Sequence, residues 1–175
     1  MPHSPIRKLT RCAIFAALLC VCGWIAIPLP GIRITLQTFG IFLALELLGG
    51  AAGTAACGVY LLLGLAGLPV FSGFQSGITA LTGPTGGYMW GFLITGLIYW
   101  AVTTLAPRQT IPALILGLVA CYSCGTCWYA FGYLNAGLAG IPAALVTCVT
   151  PYVIPDLVKL LLAHRLAKRL KPHLR

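Results

Sequence analysis

Long apolar runs alternate with short breaks rich in glycine and proline along the 175 residues of the chain. Runs such as Val59 to Ala66 and Ala113 to Ala120 are apolar on every side. They show neither the period of two of a half-buried strand nor the single stripe of a soluble amphipathic helix. A transmembrane β-barrel would need segments of about 10 residues with alternating polarity. Runs and breakers together predict helices near 11–27, 36–48, 51–66, 87–106, 111–131 and 152–167. A membrane span takes about 20 apolar residues, so a chain of this length holds about six. The expected fold class is all-α: a single transmembrane domain over residues 1–175 with about six membrane helices. The second helix is short enough to be tilted or only partly spanning. The first follows a basic stretch, as in a signal peptide, but no small-x-small cleavage site follows it, and Ile27-Pro28-Leu29-Pro30 reads as the start of a loop. It is expected to be retained.

Composition sharpens this picture. Hydrophobic residues make up 59% of the chain and charged residues 7%, whereas a soluble domain carries about 25% charged residues. A soluble fold and a disordered chain are both excluded. The net charge is +9, from 11 basic residues against Glu46 and Asp156. Position decides what that charge means. Arg7, Lys8, Arg11, Arg108, Arg165, Lys168, Arg169, Lys171 and Arg175 all fall on one side of a six-helix topology. Arg33 alone falls on the other side, and Lys159 lies inside the last helix. The positive-inside rule makes the basic side cytoplasmic. The chain is expected to be a multi-pass cell-membrane protein with both termini in the cytoplasm and the lipid bilayer, not nucleic acid, as the partner of its basic ends.

Three connections are not simple turns. Residues 28–35 hold two prolines and Arg33. Residues 67–88 form a glycine-rich outer loop between the third and fourth helices, long for a compact domain without a function. Residues 132–151 hold Asn135 and room for a short helix before Pro151.

Eight cysteines suggest a disulfide framework or a metal site. Cys12, Cys20, Cys22, Cys57 and Cys148 lie in apolar runs, where a thiol acts as a small hydrophobe. Cys121, Cys124 and Cys127 rotate away from one helix face and lack a fourth ligand nearby, and His3, His164 and His173 sit near the ends. No metal site and no cofactor is expected.

The informative residues are ionisable groups away from the ends, because each is costly at the bilayer centre. Asp156 and Lys159 are three residues apart on the last helix and share a face. They either neutralise each other or serve a ligand. Pro155 cannot donate a backbone hydrogen bond, so the helix is expected to start or bend near Asp156, close to a positive helix terminus. Arg33 is either a solvated loop residue or a two-pronged clamp for a carboxylate. The segment Gly83-Pro84-Thr85-Gly86-Gly87-Tyr88 brings backbone close to whatever it covers, with the Tyr88 and Trp90 rings following. No lysine follows a glycine, so a Walker A motif is absent. Glu46 is expected near the inner end of the second helix, as a surface residue meeting a partner or headgroup or as a proton-coupling carboxylate. Ala13 and Ala17, joined by Ala16, form a small-residue face on the first helix that lets another helix approach.

The stretches PLPGIRITLQTF (28–39), GLPVFSGF (67–74), GPTGGYMWGF (83–92) and PYVIPDLVKLLLA (151–163) resemble, in order and over nearly the whole chain, the BioY family. These are the biotin-specific substrate-binding subunits of energy-coupling factor (ECF) transporters. The resemblance implies a six-helix subunit that binds biotin from outside. It also implies partners, a membrane-embedded coupling subunit and two ATPase subunits, and no enzymatic activity of its own. By the same resemblance Arg33, Gln75, Ser76, Gly77, Tyr88, Asp156 and Lys159 would meet biotin, with residues 74–77 in the lid, and Ala13 and Ala17 would dock the coupling subunit. The chain differs from many relatives at Phe74-Gln75-Ser76, where they carry more glycine. The alternative function is a stand-alone ion-coupled vitamin carrier. An intramembrane enzyme would need a reactive constellation that one Asp, one Glu and one Lys in the helices do not offer.

Overall fold

The computed structural model describes residues 5–27 and 33–173. The described chain is a helical bundle: α1 (Pro5–Trp24), α2 (Gln37–Leu48), α3 (Gly50–Leu65), α4 (Gly77–Thr82), α5 (Gly86–Leu105), α6 (Thr110–Cys127), α7 (Ile141–Cys148) and α8 (Thr150–Leu170). All six expected segments are helical. The differences lie at their ends and in one added short helix, α4, while α7 is a short helix in the 132–151 segment, where the sequence left room for one before Pro151.

The first helix stops at Trp24 instead of running to 27. Ile27 precedes Pro28, whose ring disfavours the helical conformation in the residue before it. The chain turns extended instead, and Ala26–Ile27 (β1) pairs antiparallel with Ile34–Thr35 (β2). Between α2 and α3 the chain turns on Gly49 alone, at φ +84, a left-handed conformation that glycine adopts at little cost. The glycine-rich segment 67–88 is not all loop, since α4 occupies its centre and α5 starts at Gly86.

Helix α6 runs on through a π-helical turn, Trp128–Tyr133, giving 24 continuous residues from Thr110 to Tyr133. It packs closely on α5, where the Thr95 hydroxyl donates to the Gly91 and Gly117 carbonyls, each at 2.9 Å. Helix α8 starts at Thr150, with Pro151 in its first turn and Pro155 inside. The expectation that it starts or bends near Asp156 is therefore corrected: Asp156 lies in the second turn, and the 53° bend falls between α7 and α8. On α8, Tyr152, Asp156, Lys159, Leu160, Ala163 and Ala167 form one buried stripe.

Helix α2 is buried almost all round from Gly40 to Glu46 and forms the centre of the bundle. Outward faces remain apolar, as at Leu62, Leu97, Leu116, Val119, Ile154 and Leu161. Among the described residues, α5 and the run Thr110–Tyr133 are each long and apolar enough to cross a membrane, and Gly137–Cys148 and Thr150–Leu170 reach that length and apolarity only when taken together as one bent pair. Helices α2 and α3, of 12 and 16 residues, are shorter than a full span.

Candidate ligand-binding site

Where α2, α5 and α8 begin and α6 ends, the bundle encloses a cavity of about 440 Å³. Its size falls within the usual range for small-molecule pockets. Met89, Phe92, Leu118, Cys121, Cys148 and Tyr152 make its apolar and aromatic walls.

A polar cluster sits in one wall. Asp156 and Lys159 are buried, 4% and 9% exposed. Their i,i+3 spacing brings Lys159 Nζ within 2.8 Å of Asp156 Oδ1. Thr38, in the first turn of α2, donates its hydroxyl to the same oxygen at 2.8 Å, and Lys159 Nζ lies 3.3 Å from that hydroxyl. Tyr122 on α6 donates to Asp156 Oδ2 at 2.7 Å. A buried carboxylate is expensive unless it is paired and hydrogen-bonded. Here an ammonium and two hydroxyls from three helices serve it. An ionised carboxylate has about four lone-pair sites, and these donors leave Oδ2 with room for one more.

A second group of bonds fixes the mouth. Thr35 donates to Gln37 Oε1 at 2.9 Å, the Gln37 amide donates to the Tyr60 hydroxyl, and Tyr60 donates to the Val70 carbonyl at 3.3 Å. This ties the β1–β2 hairpin, α2, α3 and the 67–76 loop together. Phe71 is buried edge-on against Tyr60, ring centroids 5.5 Å apart. Arg33 lies over Gly73 and donates to the Ser72 carbonyl at 3.1 Å. Gly73, at φ +72, leaves the guanidinium a space that a side chain would fill. Trp24 holds the loop from α1, donating to the Pro69 carbonyl at 2.7 Å and stacking on Phe74. The loop is thus fastened at several points, and the Ser72 and Tyr88 hydroxyls on the cavity wall are buried without a hydrogen-bond partner among the described residues.

Of the residues expected at the ligand, Arg33, Gln75, Tyr88, Asp156 and Lys159 line this cavity, and Ser76 and Gly77 are not among its lining residues. Gly77 instead opens α4. Thr38, Tyr122, Gln37 and Tyr152 line the cavity as well and are absent from the sequence reading. They had no signal of their own, each being a single polar or aromatic residue beside or within an apolar run. The helix terminus expected beside Asp156 is replaced by the Thr38, Tyr122 and Lys159 donors. Ala13 and Ala17 are exposed on α1, whereas Ala16 is buried at 2%, so Ala16 is not part of their face. Glu46 is corrected too. It is no surface residue but buried, 3% exposed, with His164 Nδ1 at 3.0 Å and Lys171 Nζ at 3.3 Å. Cys121, Cys124 and Cys127 pass from buried through half-buried to exposed, as expected for a run that rotates around its helix.

An apolar helical bundle with a partly closed cavity and one buried ion pair in its wall is the architecture of a membrane protein that binds a small polar molecule. The chain belongs to the BioY family, whose model matches residues 1–175. It is 37% identical over 171 residues to the biotin transporter BioY of Thermotoga maritima, covering 95% of this chain and 96% of that one. It is 36% identical to the biotin transporter BioY2 of Lactococcus lactis, covering 93% and 88%. Among solved structures, it matches a crystal structure of the S-component for biotin from an ECF-type ABC transporter with a TM-score of 0.84. That match has 27% identity over 98% of this chain and 94% of that one.

Proposed function

We propose that the chain is the biotin-binding membrane subunit of an ECF-type transporter, a transport protein and not an enzyme, with biotin as its transported ligand. The observation that carries this reading is the Thr38–Asp156–Lys159–Tyr122 cluster set in apolar walls. Biotin joins an apolar bicyclic ring bearing a ureido group to a flexible chain ending in a carboxylate. Such a ligand needs one polar focus for the ureido group, apolar walls for the ring and a cation for the tail. Asp156 accepts one ureido N–H at the free position on Oδ2, while Tyr122 and Thr38 hold the carboxylate in orientation. Lys159 has donated two of its three hydrogens and directs the third to the ureido carbonyl. Arg33, at the mouth, meets the carboxylate. The unpartnered Tyr88 and Ser72 hydroxyls and the Gln75 side chain supply further contacts along the chain.

The basic residues on one side of the bundle favour cytoplasmic termini and therefore a cavity that opens outward. Exposed Ala13 and Ala17 provide a smooth face on α1 for a membrane-embedded coupling subunit, which with two ATPase subunits would supply the energy. The chain carries no Walker A motif of its own.

Calorimetric titration of the detergent-purified chain with biotin tests the reading. Saturable one-to-one binding that Asp156→Asn removes is the expected result. A folded protein that takes up no biotin, with or without coupling and ATPase subunits, overturns it. Uptake in cells lacking those subunits, abolished by collapsing the proton gradient, would favour a stand-alone carrier.

A further inference from the structure

A second cavity, about 470 Å³ in volume, lies at the opposite end of the bundle. Helices α2 and α8 run in the same direction. Thr38 meets Asp156 near their starts, and Glu46 meets His164 eight residues further on in both, about 12 Å along the helix axis. The cavity is lined by Glu46, Thr110, His164, Lys168, Lys171 and Pro172. His164, Lys168 and Lys171 fall at i, i+4 and i+7 and form one stripe. Glu46 is the one acidic residue in the lining, and Lys171 already neutralises it, assisted by His164. Lys168 has no partner among the described residues, so the cavity keeps a surplus positive charge. Thr110 is the first residue of α6 and brings the positive end of an 18-residue helix to the same space.

The location says what covers this charge. Arg108, Arg165 and Arg169 surround this end of the bundle, and the first turns of α1 add Arg7, Lys8 and Arg11. Just inside, apolar side chains face outward, with Leu105 88% exposed and Leu161, Leu162 and Leu166 following on α8. A cationic hollow directly above a lipid-facing apolar surface fits a molecule with an anionic head and hydrocarbon tails. We propose that this second cavity holds the phosphate of an anionic phospholipid between Lys168, Lys171, His164 and the start of α6. Its acyl chains lie against α8 and the end of α5. The site is separate from the biotin cavity and does not depend on that assignment.

Thermal unfolding of the purified chain in detergent, followed by tryptophan fluorescence, tests this with three probes. These are dioctanoyl phosphatidylglycerol, dioctanoyl phosphatidylcholine and inorganic phosphate. Phosphatidylglycerol is expected to raise Tm saturably, since a ligand that binds only the folded state stabilises it by mass action, and the other two are not. Lys168→Ala is expected to weaken phosphatidylglycerol about fivefold, as for one basic residue near an anionic headgroup, with biotin binding kept as the check on folding. Arg165→Ala removes the same charge from the same helix outside the cavity and is expected to leave that affinity unchanged. Equal losses in the two variants, or equal stabilisation by phosphatidylcholine, overturn the site. Equal stabilisation by inorganic phosphate overturns the lipid.

Discussion

The two ends of the α2–α8 pair meet the same physical demand differently. Each buries one carboxylate between the two helices, Asp156 at 4% exposure and Glu46 at 3%. At the ligand end the carboxylate belongs to α8, and its donors come from α2, α6 and α8 itself. At the other end it belongs to α2, and its partners among the described residues, His164 and Lys171, come from the α8 segment and the turn that follows it. Asp156 is served by one cation and two hydroxyls, so the cluster is close to neutral and Oδ2 can still take a donor. Glu46 is met by a cation and an imidazole that are themselves 48% and 28% exposed in their side chains, with further basic residues crowding around. The first arrangement suits a neutral, hydrogen-bonding head inside apolar walls. The second ties two helices together and leaves a positive surface over.

The comparison is most exposed at Asp156. Asp156→Asn leaves the Lys159 ammonium buried without its counter-charge, and truncating one partner of a buried pair costs about 2–5 kcal/mol. Biotin affinity, measured by calorimetry, is expected to fall at least about thirtyfold. Tyr122→Phe removes one hydroxyl from Oδ2 while keeping the ring. A hydrogen bond to a charged group contributes about 1.5–3 kcal/mol, so a loss of roughly tenfold in biotin affinity is expected. If Tyr122→Phe binds like wild type, Asp156 is oriented by Thr38 and Lys159 alone.

Glu46→Gln makes the reverse test. It should lower stability by about 1 kcal/mol, the partners being too exposed for a larger effect, as read from the unfolding midpoint. Biotin affinity should move by less than about threefold, and a loss as large as that of Asp156→Asn would mean the two ends are coupled. Ser76→Ala should have the smallest effect, within about twofold in biotin affinity, because the half-buried side chain does not line the cavity and substitutions away from cores, caps and polar networks are usually near neutral. A larger loss would place the lid differently when ligand is bound.

Much of the fold could be read from the residues. The apolar runs are long enough that only helices satisfy their backbone in lipid, and glycine and proline mark the breaks. Helix ends were less legible. Trp24 ends α1 because the chain must become extended before Pro28, and the 67–88 segment conceals α4 because six residues of helix carry little periodic signal. Asp156 and Lys159 could be found because they are rare ionisable residues at helical spacing. Thr38 and Tyr122 could not, since a hydroxyl on a membrane helix is unremarked until its partner is known, and their partner lies 118 and 34 residues away.

Glu46 shows the limit of the reading most clearly. Its place near the end of the second helix followed from the sequence, yet its burial did not, because His164 and Lys171 stand 118 and 125 residues further along the chain. The sequence by itself determined the solvent of this protein, the rough extent of its six long helical segments, which of its ends are basic, and the face that Asp156 shares with Lys159. These follow from local covalent order, since period, charge and turn chemistry act within a few residues. Only the tertiary structure decided which helices are neighbours. That choice depends on packing among surfaces that are all apolar and so nearly alike in sequence. It placed Thr38 and Tyr122 around Asp156, put Glu46 under the end of α8, and opened a cavity at each end of one helix pair.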